Sequence, residues 1–254
     1  MEVRILGSSV DAPRARQYAS SYLINRVVSI DAGTLGFHGT PHDQARVRHI
    51  FLTHSHMDHI ASLPVFLENA YDPTQPEVTI HALPETLNAL RQFVFNDVIW
   101  PDFVKMQMPG RPFLRLSELQ PEQAVEVEGL QVVPVRVEHI VPTVGFIVSD
   151  GKSTVVFSGD TAATDRIWEL TGKFPEPRSV FLECTFPDEM EQLALVSAHL
   201  TPAQFGRERA KMPPIERLFA IHLKDRYRVV MEQQLGALRL PELEIAEGEA
   251  CYSL

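Results

Sequence analysis

The chain has 254 residues, 44% hydrophobic and 22% charged, an ordinary globular composition that sets aside disorder, collagen and coiled coil. Its apolar stretches fall short of the ~18 residues a membrane span needs, and two cysteines, Cys184 and Cys251, cannot make a disulfide framework, so a reducing, cytoplasmic setting is expected. A net charge of −10 argues against tight nonspecific binding of extended nucleic acid but leaves room for a small anionic ligand held by metal.

From the N-terminus, Met1-Glu2-Val3-Arg4-Ile5 opens directly into alternation, with no basic and apolar leader, so no secretory signal is expected. Strands are expected at Glu2–Leu6, Ser21–Ile24, Val27–Asp31, Ile50–Thr53 and Val78–Ala82. Helices are expected over Ser62 to Ala70 and Pro84 to Phe95, where apolar residues recur at helical spacing. The second half offers strands at Val125–Val127, Leu130–Glu138, Thr143–Val148, Thr154–Ser158, Ser179–Glu183 and Leu218–Ile221, with Asp150-Gly151 as a hairpin signal. Helices should follow Thr164 and stop at Gly172, start at Thr201-Pro202 and end before Pro213-Pro214, and run from Asp225 to Leu238. With no repeat or low-complexity linker, residues 1–254 read as a single domain. Strands followed by a helix, in two halves, point to two sheets between helix layers.

The densest chemistry is His54-Ser55-His56-Met57-Asp58-His59, directly after the strand Ile50–Thr53. Such a cluster arises by chance on the order of once in a thousand chains. His54 and His56 alternate out of an extended loop and can reach one cation, while Asp58 and His59 turn away toward a second. Imidazole and carboxylate suit Zn²⁺, and also Fe²⁺ or Mn²⁺. His139, Asp160 and His222 each follow a strand, and each alone would read as a satisfied structural residue. Their recurrence at strand ends in this chain favours ligands.

The series His54, His56, Asp58, His59, His139, Asp160 and His222 resembles the metallo-β-lactamase superfamily, in order and over nearly the whole chain. The resemblance implies an α/β fold, a four-layer αββα sandwich with two divalent metal ions at one edge. It implies that His54, His56 and His139 hold the first ion, that Asp58, His59 and His222 hold the second, and that Asp160 bridges them. Asp31-Ala32-Gly33-Thr34 resembles the family's early strand-end motif, in which Asp31 orients a metal loop by hydrogen bonds.

Glu183-Cys184-Thr185-Phe186, with His199-Leu200-Thr201-Pro202 downstream, resembles the phosphodiesterase branch, which includes tRNA 3′-processing endonucleases and class II cyclic-nucleotide phosphodiesterases. That resemblance implies that His199 protonates the leaving oxygen, that Glu183 holds His199, and that Asp58 orients the attacking water. Phe95-Asn96-Asp97-Val98-Ile99-Trp100-Pro101-Asp102 and Thr143-Val144-Gly145-Phe146 are similar to class II segments, whereas Pro64 and Leu67 depart from the class II signature. The expected substrate is a 3′,5′-cyclic nucleotide, a small anionic phosphodiester; a homodimer is compatible with this reading. The alternatives are a tRNA 3′-endonuclease, whose Gly-rich basic arm is not visible between Phe146 and His199, and a ligand-binding member without turnover.

Other residues take simpler readings. His38, His42 and His49 lack the cluster's spacing and read as surface or supporting residues, and His81 as core. Arg207, Arg209 and Lys211 read as a solvated helix face, and Cys184 has no partner that would make it a nucleophile.

Overall fold

The computed structural model describes residues 1–8, 16–72 and 74–254, which divide into two compact units. The first comprises residues 2–120 with 248–253, and the second residues 121–247 with Met1 and Leu254.

In the first unit, strands β1 (Glu2–Ile5), β2 (Tyr22–Ile24), β3 (Val28–Ile30), β4 (His49–Phe51) and β5 (Val78–Ala82) follow one another in sequence. A small hairpin of β6 (Gln107–Met108) and β7 (Arg111–Pro112) precedes β8 (Leu114–Glu118). The helices are α1 (Pro41–Gln44), α2 (Met57–Ile60), α3 (Leu63–Asn69) and α4 (Pro84–Ala89). From β3 onward the sheet is parallel, in the order β3-β4-β5-β8. Seven-residue α3 is too short to persist alone. It is held because Leu63, Phe66 and Leu67 are buried among Ile50, Leu52 and Ile80 of the sheet, each full burial contributing about 1.5–3 kcal/mol.

The second unit carries β9 (Val125–Val127), β10 (Leu130–Val137), β11 (Thr143–Ser149), β12 (Thr154–Phe157), β13 (Arg178–Glu183), β14 (Arg217–Ile221) and β15 (Leu243–Ile245). Its helices are α5 (Arg166–Thr171), α6 (Glu191–Ser197), α7 (Pro202–Arg209) and α8 (Arg228–Ala237). The sheet order is β15-β14-β13-β12-β11-β10-β9, with β12 through β15 parallel. Two antiparallel steps, β12 to β11 and β11 to β10, return β10 to the direction of β12. Trp168, Phe205, Met231 and Leu235 from the helices pack with Val135, Val180 and Leu218 of this sheet. Helix α7 begins as expected, with Pro202 in its first turn and a capping box between Thr201 and Gln204.

The consequence for function is directional. Asp31, Thr53, His139, Asp160, Glu183 and His222 all lie just beyond or at the carboxyl end of a strand, where α/β sheets place ligands; each of these strands has a parallel neighbour except β10, before His139, which is antiparallel to both of its own.

The structure departs from expectation in a few places. The helix expected over Pro84 to Phe95 is α-helical only to Ala89 and continues through Leu90–Val94 as a π turn closed by Phe95 N–H donating to Leu90 O at 2.8 Å. The wider turn directs Leu90, Val94 and Phe95 together into the core. Strands β8, β15 and the C-terminal β16 (Cys251–Ser253) escape a periodicity reading because they lie at sheet edges with exposed or half-exposed positions. Of the expected solvated face, Arg207 and Lys211 are exposed and Arg209 is half-buried. Arg209 Nε pairs with Glu242 at 2.5 Å, and Lys211 Nζ lies 2.8 Å from the buried Glu208 carboxylate. Helix α7 needed that cation because Glu208 also accepts from Trp168 Nε1 at 2.8 Å and cannot reach water. No helix among the described residues is long and apolar enough to cross a membrane.

Candidate metal centre and active site

In the first unit, the chain leaves β4 through Thr53 into the histidine cluster. His54 and His59 are 0% and 2% exposed, and their ring centroids lie 4.1 Å apart. His56, half-buried, precedes α2, and its ring meets that of His54 edge-on at 4.6 Å. Asp58 occupies the first turn of α2, half-buried. Behind the cluster, Asp31 takes the left-handed backbone region (φ 59°), which costs a non-glycine residue about 1 kcal/mol or more and turns its carboxylate under the loop. That carboxylate accepts from Thr53 N–H at 2.8 Å, from the Thr53 hydroxyl at 2.9 Å and from His59 Nδ1 at 2.7 Å. Burial pushes the Asp31 carboxyl up, against the charge of His59 and the hydrogen bonds from His59 and Thr53.

Gly33 seats this loop against α2. A Cβ there would lie 2.1 Å from Asp58 O and 2.8 Å from Ser20 N, so only glycine lets these backbones meet. Ala32 N–H donates to His59 O at 2.8 Å, and Ser20 N–H donates to Asp58 O at 2.7 Å. The cluster is therefore fixed from its backbone as well as through Asp31.

In the second unit, His139 follows β10, Asp160 follows β12 across Gly159 (φ 63°), and His222 follows β14 in the left-handed region (φ 62°). One ligand atom each of Asp160, His199 and His222 lies within 4.8 Å of the others, and His222 Nε2 is 3.6 Å from Asp160 Oδ2. His199 stacks on His222 at 5.5 Å between centroids and meets His139 edge-on at 5.0 Å. Geometry thus places His199 within 4.8 Å of the expected ligand atoms of Asp160 and His222.

What separates His199 is its support. Glu183, 0% exposed at the end of β13, lies 2.7 Å from His199 Nδ1 through Oε1 and also accepts from Thr161 N–H at 3.0 Å and Leu200 N–H at 3.3 Å. Burial alone would lower the His199 pKa, but the Glu183 charge and hydrogen bond, aided by Asp160, outweigh it and raise it above the ordinary imidazole value. The Thr185 hydroxyl sits at the centre of this group, 2.7 Å from Glu183 Oε2, 2.9 Å from His222 Nδ1 and 3.2 Å from His199 Nδ1.

The donor set fits divalent metal. His139 Nδ1 faces the carbonyl of Ala198 at 3.0 Å, and a carbonyl only accepts, so the proton is on Nδ1 and the Nε2 lone pair is left for a ligand bond. His59 is held the same way by Asp31. For His54, Nδ1 lies 2.9 Å from a Thr53 hydroxyl whose proton is committed to Asp31, so Nδ1 again donates. Outer partners that fix the metal-binding tautomer are the usual environment of ligating histidines.

The chain from residue 22 to 223 matches the family model described as the β-lactamase superfamily domain. It belongs to the metallo-β-lactamase superfamily. The expected α/β fold class and the reading as a metal-dependent hydrolase are supported at this family level. Among superfamily members, the 3′,5′-cyclic-nucleotide phosphodiesterase 1 of Saccharomyces cerevisiae is 35% identical over 189 residues, which is 64% of this chain and 50% of that protein. A ribonuclease Z of Kineococcus radiotolerans is 25% identical over 272 residues, covering 89% of this chain and 84% of its own. The crystal structure of unliganded yeast PDE1 superposes with a TM-score of 0.78 at 18% identity over 98% of each chain. The chain spans about half the length of the curated phosphodiesterases that it matches.

Thr53 and Thr185 are the supporting residues to which the sequence alone assigns no role, although Thr185 lies in the Glu183–Phe186 motif. Their only sequence signal is adjacency: Thr53 immediately precedes His54, and Thr185 lies two residues after Glu183. Cys184, between Glu183 and Thr185, is buried, and burial raises its thiol well above the ordinary value, so it is no nucleophile.

Proposed function

We propose that this metallo-β-lactamase superfamily member is a dinuclear phosphodiesterase that hydrolyses 3′,5′-cyclic nucleotides, with residues 1–254 acting as one metallo-hydrolase domain. The observation that carries the reading is the Glu183–His199 pair: a buried carboxylate 2.7 Å from an imidazole that keeps 11% of its side-chain surface exposed beside Asp160 and His222. A metal site that only binds has no use for a carboxylate-paired, partly open imidazole next to its ligands.

His54, His56 and His139 would hold one ion and Asp58, His59 and His222 the other, with Asp160 shared, zinc being the expected metal. When bound, such ions polarise the phosphate oxygens and lower the pKa of an attacking water toward 7. Asp58 orients that water and takes its proton. His199, charged through Glu183, gives a proton from Nε2 to the departing ribose oxygen, a poor leaving group as the alkoxide. Glu183 holds Nδ1 and thereby aims Nε2.

The cyclic-nucleotide substrate is supported by the 35% identity to the yeast phosphodiesterase and by the acidic charge, which suits a small anion held by metal better than a long polyanion. The ribonuclease Z relative favours precursor tRNA as the second reading. The deciding experiment sets metal-loaded protein side by side against bis(p-nitrophenyl) phosphate, cyclic AMP, cyclic GMP and a precursor tRNA. Turnover of the generic diester and a cyclic nucleotide, but not of tRNA, is expected. Cleavage of tRNA alone replaces the substrate, and no hydrolysis of any diester overturns the enzyme reading.

A further inference from the structure

We propose that Thr185 is a positioning residue that sets the tautomer of His222 and links it, through Glu183, to His199. The inference rests on the dinuclear reading above for its consequence, but its structural basis is a count of protons.

Thr185 offers one hydroxyl proton and two lone pairs. Three groups lie within reach of its oxygen: Glu183 Oε2 at 2.7 Å, His222 Nδ1 at 2.9 Å and His199 Nδ1 at 3.2 Å. As a carboxylate Glu183 only accepts, so the shortest contact takes the hydroxyl proton. His199 Nδ1 lies 2.7 Å from Glu183 Oε1 and must itself donate there, so it cannot receive the Thr185 proton. Only lone pairs of Thr185 then face His222, whose Nδ1 must carry a proton. The opposite arrangement, with Thr185 donating to His222, would leave two acceptors 2.7 Å apart unless Glu183 were neutral, and Glu183 already accepts two backbone N–H bonds.

With its proton fixed on Nδ1, His222 turns the lone pair of Nε2 toward Asp160 Oδ2, 3.6 Å away. The backbone contributes as well: His222 sits in the left-handed region (φ 62°), sparsely populated by residues other than glycine, and Cys184 N–H donates to Ile221 O at 2.9 Å, tying the residue before His222 to the residue before Thr185. One hydroxyl therefore serves a predicted ligand on one side and the carboxylate behind the leaving-group acid on the other. Disturbing it should disturb both together.

The test compares wild type with Thr185→Val, which keeps the shape and removes the hydroxyl, and Thr185→Ser, which restores it. Imidazole ¹⁵N spectra of the full chain, with the His222 signals assigned from His222→Gln, should show the proton on Nδ1 in the wild type and in Thr185→Ser, and a shifted or mixed tautomer in Thr185→Val. Metal titration should show the weaker ion bound 10–100-fold less tightly in Thr185→Val, with recovery in Thr185→Ser. A wild-type His222 protonated on Nε2 overturns the inference even where a variant fails to fold. So does Thr185→Val with an unchanged tautomer and unchanged metal affinity. A protein that hydrolyses no diester yet shows the tautomer change would overturn the phosphodiesterase reading and leave this one standing.

Discussion

Two parts of the molecule use one device for different ends. In the first unit, Asp31 and Thr53 clamp His59 and His54; in the second, Glu183 and Thr185 clamp His199 and His222. In each, the carboxylate is buried, one imidazole lies 2.7 Å from it, and the other lies 2.9 Å from the threonine hydroxyl. The difference is access. His54 and His59 are closed off at 0% and 2%, whereas the His199 side chain keeps 11% of its surface. A clamp that encloses both rings can only hold them, while one that leaves a ring at the surface can also pass a proton outward. His81 supplies the contrast. It is 4% exposed, its Nε2 lies 3.0 Å from His49 Nδ1 instead of a carboxylate, and burial plus the His49 charge lower its pKa to about 4. Burial depresses all such rings, and only a neighbouring carboxylate reverses the sign.

The largest expected effect falls on both clamps at once. Chelation should reduce hydrolysis of bis(p-nitrophenyl) phosphate to background, with recovery on adding Zn²⁺ or Mn²⁺; full activity after verified removal of metal by elemental analysis would show that neither clamp serves an ion. Next comes the clamp proposed to move a proton. His199→Ala should slow cyclic-nucleotide hydrolysis by roughly 10²–10⁴-fold and bis(p-nitrophenyl) phosphate far less, because p-nitrophenolate leaves without a proton. Glu183→Gln should give the same pattern more weakly, with metal content unchanged in His199→Ala. Equal losses on both substrates would place His199 in binding or structure.

The enclosed clamp should respond differently. Thr53→Val should weaken metal binding by about 10–100-fold and lower turnover of both substrates alike at limiting metal, read by titration against a fluorescent chelator. A leaving-group-dependent loss here would erase the distinction between the clamps. The smallest effect concerns His81. Its folded pKa lies below the unfolded value, so between about pH 6.5 and pH 4 the unfolded chain binds a proton that the folded chain refuses, and stability falls as pH falls. Between pH 7 and pH 5.5 this amounts to about 1 kcal/mol. Denaturant melts of His81→Gln should show a pH dependence flatter by that amount, and an unaltered slope would mean that His81 takes up a proton in the folded protein.

How much of this was legible in the sequence follows from what each signal depends on. The strands before Asp31, His54, Asp160, Glu183 and His222 announce themselves because parallel strands buried on both faces are continuous apolar runs, and the polar residue that ends each run marks the place. The capping box at Thr201 is equally local. The edge strands β8 and β15 have no such signature, since their order comes from a neighbour's hydrogen bonds. The threonines were hidden for another reason. A hydroxyl's role depends on which three groups surround it, and Thr185 reaches His222 across 37 positions of sequence. Arg209 misled because its partner, Glu242, lies 33 positions away, a contact that spacing along α7 does not encode.

The C-terminal strand β16 lies along β1, Glu2 opposite Ser253 and Arg4 opposite Cys251. A ribosome makes β16 nearly 250 positions after β1, so at ~5–20 residues per second the flank of β1 stays open for on the order of ten seconds or more. During that interval Val3 and Ile5 sit on a strand with unsatisfied amides, the kind of surface that recruits other nascent chains. The yield of native protein should therefore depend on how fast the residues between β1 and β16 are translated and on chaperones that shield β1 until β16 arrives.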